Sequence, residues 1–94
     1  MQFEFDPEKS AKNKAKHGID FVEAQALWQD EDGIRLTVKS LSDAVRFARL
    51  ACLPSTGKHW AAIFTERGEA IRLISVRRAR DDEKEFYEQN KRKS

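Results

Sequence analysis

The pattern of apolar and polar residues points most strongly to two strands joined by a tight turn at residues 58–78. Residues 58–66 and 70–78 are rich in Ile, Val, Phe, Trp and Thr, which suit a pleated, half-buried surface. Between them Arg67, Gly68 and Glu69 read as a tight turn, with Gly68 supplying the backbone freedom. The second flank is apolar on both parities, Ile71 and Leu73 on one and Ile74 and Val76 on the other. That pattern predicts a central strand. The same strand carries Arg72, Arg77 and Arg78. On an unbroken count of two, Arg72 shares a face with Ile74, Val76 and Arg78, and Arg77 shares one with Ser75. A guanidinium placed there needs a carboxylate, or a groove where phosphates come to it.

Upstream, residues 2–5 alternate and predict a short strand. Asp6, Pro7 and Glu8 then open a helix: a side-chain cap, a fixed φ, and an acid at the positive end of the dipole. It runs to His17, and Gly18 is a natural terminator. Its apolar content is Ala11 and Ala15 alone, so it should lie on the surface and show a lysine face. Asp20 and Glu23 fit a capping box for a second helix. Phe21, Ala24, Leu27 and Trp28 recur at helical spacing and should pack on a sheet. An acidic loop at 29–33 leads to a strand at 34–39 and a turn at 40–43. A further strand follows at 44–53, with a helix at 43–51 as the alternative. A turn at 54–57 precedes the hairpin. The last helix starts at Asp81 or Asp82 with Glu83 and Glu85, ends in Lys91, Arg92 and Lys93, and is anchored by Phe86 and Tyr87. This order predicts an α+β fold. Its sheet is mostly antiparallel, with two N-terminal helices, one C-terminal helix, and the helices gathered on one side.

Ninety-four residues make one domain spanning 1–94. Although 36% of residues are charged, the net charge is only +2, so any case for a polyanion rests on local distribution. A lone Cys52 fits a reducing compartment, and no apolar leader or membrane-length run is visible. The expected location is cytoplasmic. His17 and His59 are far apart, and no HExxH, CxxC or glycine-rich phosphate loop exists, so neither a metal nor a cofactor is expected. Cys52 reads as a core thiol rather than a nucleophile.

Two cationic sets stand out. Lys9, Lys12, Lys14, Lys16 and His17 lie on the first helix, and Arg67, Arg72, Arg77, Arg78 and Arg80 on or beside the hairpin. If the helix end meets the hairpin, they form one basic patch that favours a polyanion. Glu66, His17 and Lys16 can exchange protons, and the arginines can hold a phosphate. That combination suits RNA cleavage, where the ribose 2′-hydroxyl is itself the nucleophile. The plainer alternatives are a solvated lysine face and a turn salt bridge between Glu66 and Arg67 or Arg72.

Two stretches resemble a known family. Phe3, Glu4, Phe5, Asp6, Pro7, Lys9, Asn13, Lys16, His17, Gly18, Ile19, Phe21, Glu23 and Ala24 look like the N-terminal signature of BrnT toxins. Phe64 to Gly68, then Ile71 to Ala79 and Glu83 to Tyr87, resemble the second signature. The likeness is thin between Gln29 and Lys58. It implies a toxin of a type II toxin–antitoxin system with a RelE-like fold, acting as a metal-independent ribonuclease that halts translation. The implied partner is a ribbon–helix–helix antitoxin of the BrnA type, in a heterotetramer that binds operator DNA through the antitoxin. Carried onto this chain, the likeness implies His17, Glu66, Arg67 and Arg72 as catalytic and Lys16, Thr65, Arg77 and Arg78 as RNA-binding. Phe5 stands where the family often has Trp, and the segment from Leu50 to Gly57 lacks an expected glycine. The competing reading is a basic module that binds a protein or nucleic acid without cutting it. A third makes the chain a subunit with its arginines in interface ion pairs.

Overall fold

The computed structural model describes residues 1–38 and 45–91. The turn expected at 40–43, the limits of its flanking strands at Lys39 and Ala44, and the basic residues Arg92 and Lys93 lie outside the described residues. Five strands, β1 (Gln2–Glu4), β2 (Ile34–Val38), β3 (Arg46–Cys52), β4 (His59–Arg67) and β5 (Ala70–Arg78), form one sheet. Their order is β1-β5-β4-β3-β2. Three of the contacts are antiparallel, whereas β1 joins β5 in parallel. β5 is therefore internal, between β1 and β4. The hairpin turn has Gly68 at φ 61°, a left-handed conformation that a side chain would strain.

Helix α1 (Pro7–His17) begins with Asp6 accepting from the Glu8 N–H at 2.9 Å, and it ends at Gly18, φ 82°. Its inward residues are Ser10 and Asn13, both 7% exposed, while Ala11 and Ala15 face outward. The helix lies on the surface with its lysines exposed, as expected, and polar groups rather than apolar ones hold it. Asn13 acts as a surrogate strand. Its amide donates to the Val76 carbonyl at 2.8 Å and accepts the Val76 N–H at 3.1 Å. It also donates to the Ile19 carbonyl at 2.8 Å. These bonds satisfy the edge of β5 beyond the three-residue reach of β1. Ser10 accepts the Phe21 N–H at 2.9 Å.

The second helix is a 3-10 helix, Glu23–Gln29. Its expected capping box is present, with reciprocal Asp20–Glu23 bonds of 3.0 and 2.7 Å. Phe21, Ala24 and Leu27 are fully buried against Trp60, Ala62, Phe64, Ile71, Leu73 and Val76. Trp28 packs edge-on against Phe3 and Phe64, at 5.2 and 5.3 Å. This is the first face of the sheet. Helix α2 (Asp81–Asn90) covers part of the second face, where Tyr87 packs with Leu50 and Ala61. The helices are therefore not gathered on one side: a sheet apolar on both faces needs cover on both.

Register changes one further expectation. Ile63 pairs with Ser75, but Phe64 pairs with Leu73, so Ile74 is the extra residue of a β-bulge. The bulge resets the alternation. Ile71, Leu73, Val76 and Arg78 share the first face, and Arg72, Ser75 and Arg77 share the second.

Candidate functional site

Directly opposed residues in a sheet share a face, so the strand register assigns every charged side chain. α2 packs over Leu50 and Ala61, towards one end of the second face. The other end carries Thr65, which pairs with Arg72. One step beyond the Phe47–Phe64 pair, Arg46 falls beside Thr65. Arg46, Thr65 and Arg72 thus form a row across three neighbouring strands. At about 4.8 Å per strand its outer members are about 10 Å apart. All three are half-buried. The Arg46 Nε is buried without a hydrogen-bond partner, and Arg72 makes no hydrogen bond or ion pair among the described residues. Among the described residues neither guanidinium has a carboxylate within ion-pair distance, and two such groups at one place favour an anion.

Arg67 stands next to the row on the same face, with Nη1 4.0 Å from Glu4 Oε1. Lys16 and His17 line a cavity of about 200 Å³ with Lys9, Lys12, Asn13, Ile74 and Ser75. Ser75 follows Arg72 on the second face because of the bulge. The start of α1 follows β1 at the Arg72 end of β5. Its end lies by Trp60, which pairs with Arg78. The helix tail therefore reaches the arginine face at Ser75 rather than beside Arg72 itself.

The remaining expected residues are placed elsewhere. Glu66 pairs with Ile71 and so lies on the first face, 3.0 Å from Arg35 Nη1. Arg35 in turn stacks 4.1 Å over the Phe47 ring. Arg78 is also on the first face, 5.4 Å over Trp60. The expected convergence of Glu66 and Arg78 with the other groups is corrected by this register. Arg77 shares the second face but is held by both oxygens of Glu83, at 2.7 and 3.0 Å. That pair, chiefly through its hydrogen bonds, keeps the Glu83 carboxyl below its ordinary range.

Arg46 joins the site through the strand register, outside the residues expected from the sequence. The signal was available: it is one position from Phe47, so it must point away from the core that Phe47 enters. Arg49, three positions on, faces the other way and is structural, donating to the Leu27 and Asp30 carbonyls at 3.1 and 2.8 Å. A separate cluster ties α2 to the sheet. The Tyr87 hydroxyl donates to Asp30 Oδ2 at 2.6 Å, and His59 Nε2 lies 3.0 Å from Glu88. Burial pushes the Cys52 thiol up, which suits a core role.

The sequence matches, over residues 5–83, the family described as the ribonuclease toxin BrnT of type II toxin–antitoxin systems. This chain belongs to the BrnT toxin family. Among solved structures, one is similar to it over most of its length: the Brucella abortus ribonuclease toxin BrnT, from a 1.1 Å crystal structure. The two are 26% identical, with a TM-score of 0.62, covering 86% of this chain and 99% of that one. A comparison with curated protein sequences finds no significant relative. The family match takes in α1, strands β2 to β5 and the first residues of α2, so the arginine row lies inside it, whereas β1 with Glu4, and Tyr87 and Glu88, lie outside. Type II toxins act with an antitoxin, and a ribonuclease acts on RNA. Among the described residues no cluster of three or more His, Cys, Asp or Glu is placed to hold a metal ion, and no helix is long and apolar enough to cross a membrane.

Proposed function

We propose that this BrnT-family chain cleaves single-stranded RNA through the ribose 2′-hydroxyl, without a metal, and so arrests translation. The supporting observation is the row Arg46–Thr65–Arg72 on one sheet face, its two guanidinium groups in no ion pair among the described residues. A scissile phosphate seated between this row and Ser75 meets two guanidinium groups, which stabilise the charge that gathers on phosphorus oxygens in the transition state. Thr65 donates a hydrogen bond to the same group, and Arg67 closes the side. His17, lining the cavity it shares with Ser75, protonates the leaving oxygen. Lys16 steers the chain along the helix. Arg77 is assigned to holding α2, and Glu66 and Arg78 to the first face.

The partner in this reading is a ribbon–helix–helix antitoxin of the BrnA type that covers the basic face, forms a heterotetramer with the toxin and carries it to operator DNA. The site of action is the cytoplasm. Purified chain incubated with single-stranded RNA and a chelator is expected to yield fragments ending in 2′,3′-cyclic phosphate. The same oligonucleotide with a 2′-deoxyribose at the cleaved position stays intact. Arg72→Ala slows cleavage about 10²–10³-fold. Cleavage that needs a divalent ion, or equal cutting of DNA, refutes this route. One observation favours a non-catalytic basic module instead: Glu66 and Arg77 are each already paired within the chain. Tight RNA binding without products would establish that reading.

A further inference from the structure

The row that crosses the second face does not stop at Arg72. Glu4 is the register partner of Arg72 on β1, so the row runs guanidinium, hydroxyl, guanidinium, carboxylate over four neighbouring strands. Among the described strand residues of that face Glu4 is the one acid. Glu66 lies on the opposite face, and Glu83 comes from α2, with both oxygens bound by Arg77. The oxygens of Glu4 are also available. Its nearest cation is Arg67 at 4.0 Å, too far for a hydrogen bond. Glu66, Glu23 and Glu88 each sit 2.7–3.0 Å from a partner. The placement of Glu4 is fixed, because the preceding Phe3 packs its ring 5.2 Å from Trp28.

We infer that Glu4, rather than Glu66, is the general base that activates the ribose 2′-hydroxyl. This rests on the ribonuclease reading above. The Glu4 carboxylate takes the proton of the 2′-hydroxyl, and O2′ forms a bond to phosphorus. The bond from phosphorus to O5′ then breaks, and O5′ takes a proton from His17. The products are a 2′,3′-cyclic phosphate and a 5′-hydroxyl, and the net reaction consumes no water. Arg72, between Glu4 and Thr65 in the row, lies where negative charge develops. Base and charge-stabilising group are thus neighbours on adjacent strands. Glu4 begins the row, and His17, at the far end of the eleven-residue α1, lines the cavity at Ser75 on the same face.

The test compares Glu4→Gln, Glu4→Ala and Glu66→Gln on one single-stranded RNA with chelator present. Glu4→Gln is expected to lower kcat about 10²–10⁴-fold, with KM and melting temperature near wild type. Sodium formate, a free carboxylate, is expected to restore part of the rate of Glu4→Ala. Glu66→Gln is expected to keep the wild-type rate. Unchanged kcat in Glu4→Gln overturns the inference. So does a fall that comes with a lower melting temperature and no response to formate, which would make Glu4 a brace for β1. A wild-type chain that cuts no RNA overturns the ribonuclease reading itself, and this inference with it. Full wild-type cleavage with an unaffected Glu4→Gln overturns only the inference.

Discussion

Asn13→Ala removes the piece that joins α1 to the edge of β5. Asn13 is 7% exposed and makes three hydrogen bonds, at 2.8, 2.8 and 3.1 Å, to the Ile19 carbonyl and to both backbone groups of Val76. Each such bond is worth about 0.5–1.5 kcal/mol net, and a backbone group left buried without a partner costs about 1–3 kcal/mol. Water can reach the β5 edge once the amide is gone, so the lower figure applies to part of the loss. The expected total is about 3 kcal/mol. Against a domain stability of about 5–15 kcal/mol this is large, and it corresponds to a fall in melting temperature of about 12–24 °C for a domain of this size. Denaturant titration followed by far-ultraviolet circular dichroism measures it, with an unchanged m-value expected. Asn13→Asp keeps the shape and one acceptor but loses both donated bonds, so it should be destabilised as well. A loss below about 1 kcal/mol in Asn13→Ala would show that α1 is held by something other than this amide.

Three further outcomes are expected. Arg46→Ala should lose about 10²-fold in RNA cleavage while stability stays within about 1 kcal/mol of wild type, because the variant deletes a buried donor that has no partner; a fall in stability equal to the fall in activity would assign Arg46 to structure. Glu83 is held below its ordinary value of 4.5 chiefly by Arg77, so its contribution is present above that value and fades as pH falls through the lower, folded one. Melting temperatures of wild type and Glu83→Gln should accordingly differ at about pH 6 and converge towards about pH 3, and parallel curves would contradict the pairing. In Tyr87→Phe the Asp30 carboxylate loses its 2.6 Å bond, expected to cost about 1.5–3 kcal/mol in denaturant titrations. Burial, and then Asp30, push that phenol above its ordinary range, so the wild-type chain should show no tyrosinate absorbance until it unfolds in alkali.

Much of this architecture could be read from residue order because local signals and tertiary structure agree. The Asp6–Pro7 start, the Gly18 stop, the Asp20–Glu23 box and the Gly68 turn are short-range devices, and each appears where its chemistry puts it. What escaped was long-range. Counting by twos along β5 assumes an unbroken pleat, and a bulge at Ile74 leaves no mark in composition. That single residue moved Arg72 away from Val76 and Arg78, and onto the face of Arg77. The parallel strand β1 was recognisable as a strand, but nothing in three residues names its partner 66 or more positions away. Hence residue order alone points to Glu66 rather than Glu4 as the acid beside the arginines. Asn13 likewise looks like one more polar residue on a lysine-rich helix until the strand edge it satisfies is known.

The parallel pairing of β1 with β5 has a consequence for how the chain is made. Residues 2–4 lie at one edge of the sheet, and the strand they need is Ala70–Arg78. During synthesis, at about 5–20 residues per second, the first strand must wait while some sixty-five residues emerge. α1 waits with it, since Asn13 has no Val76 to hold. Neither the Arg72 end of the basic row nor Glu4 beside it can be assembled on a partial chain. A cell translating this toxin therefore carries no half-built nuclease: the last hairpin arms the molecule in one step, and any antitoxin that recognises the finished edge has only complete molecules to find.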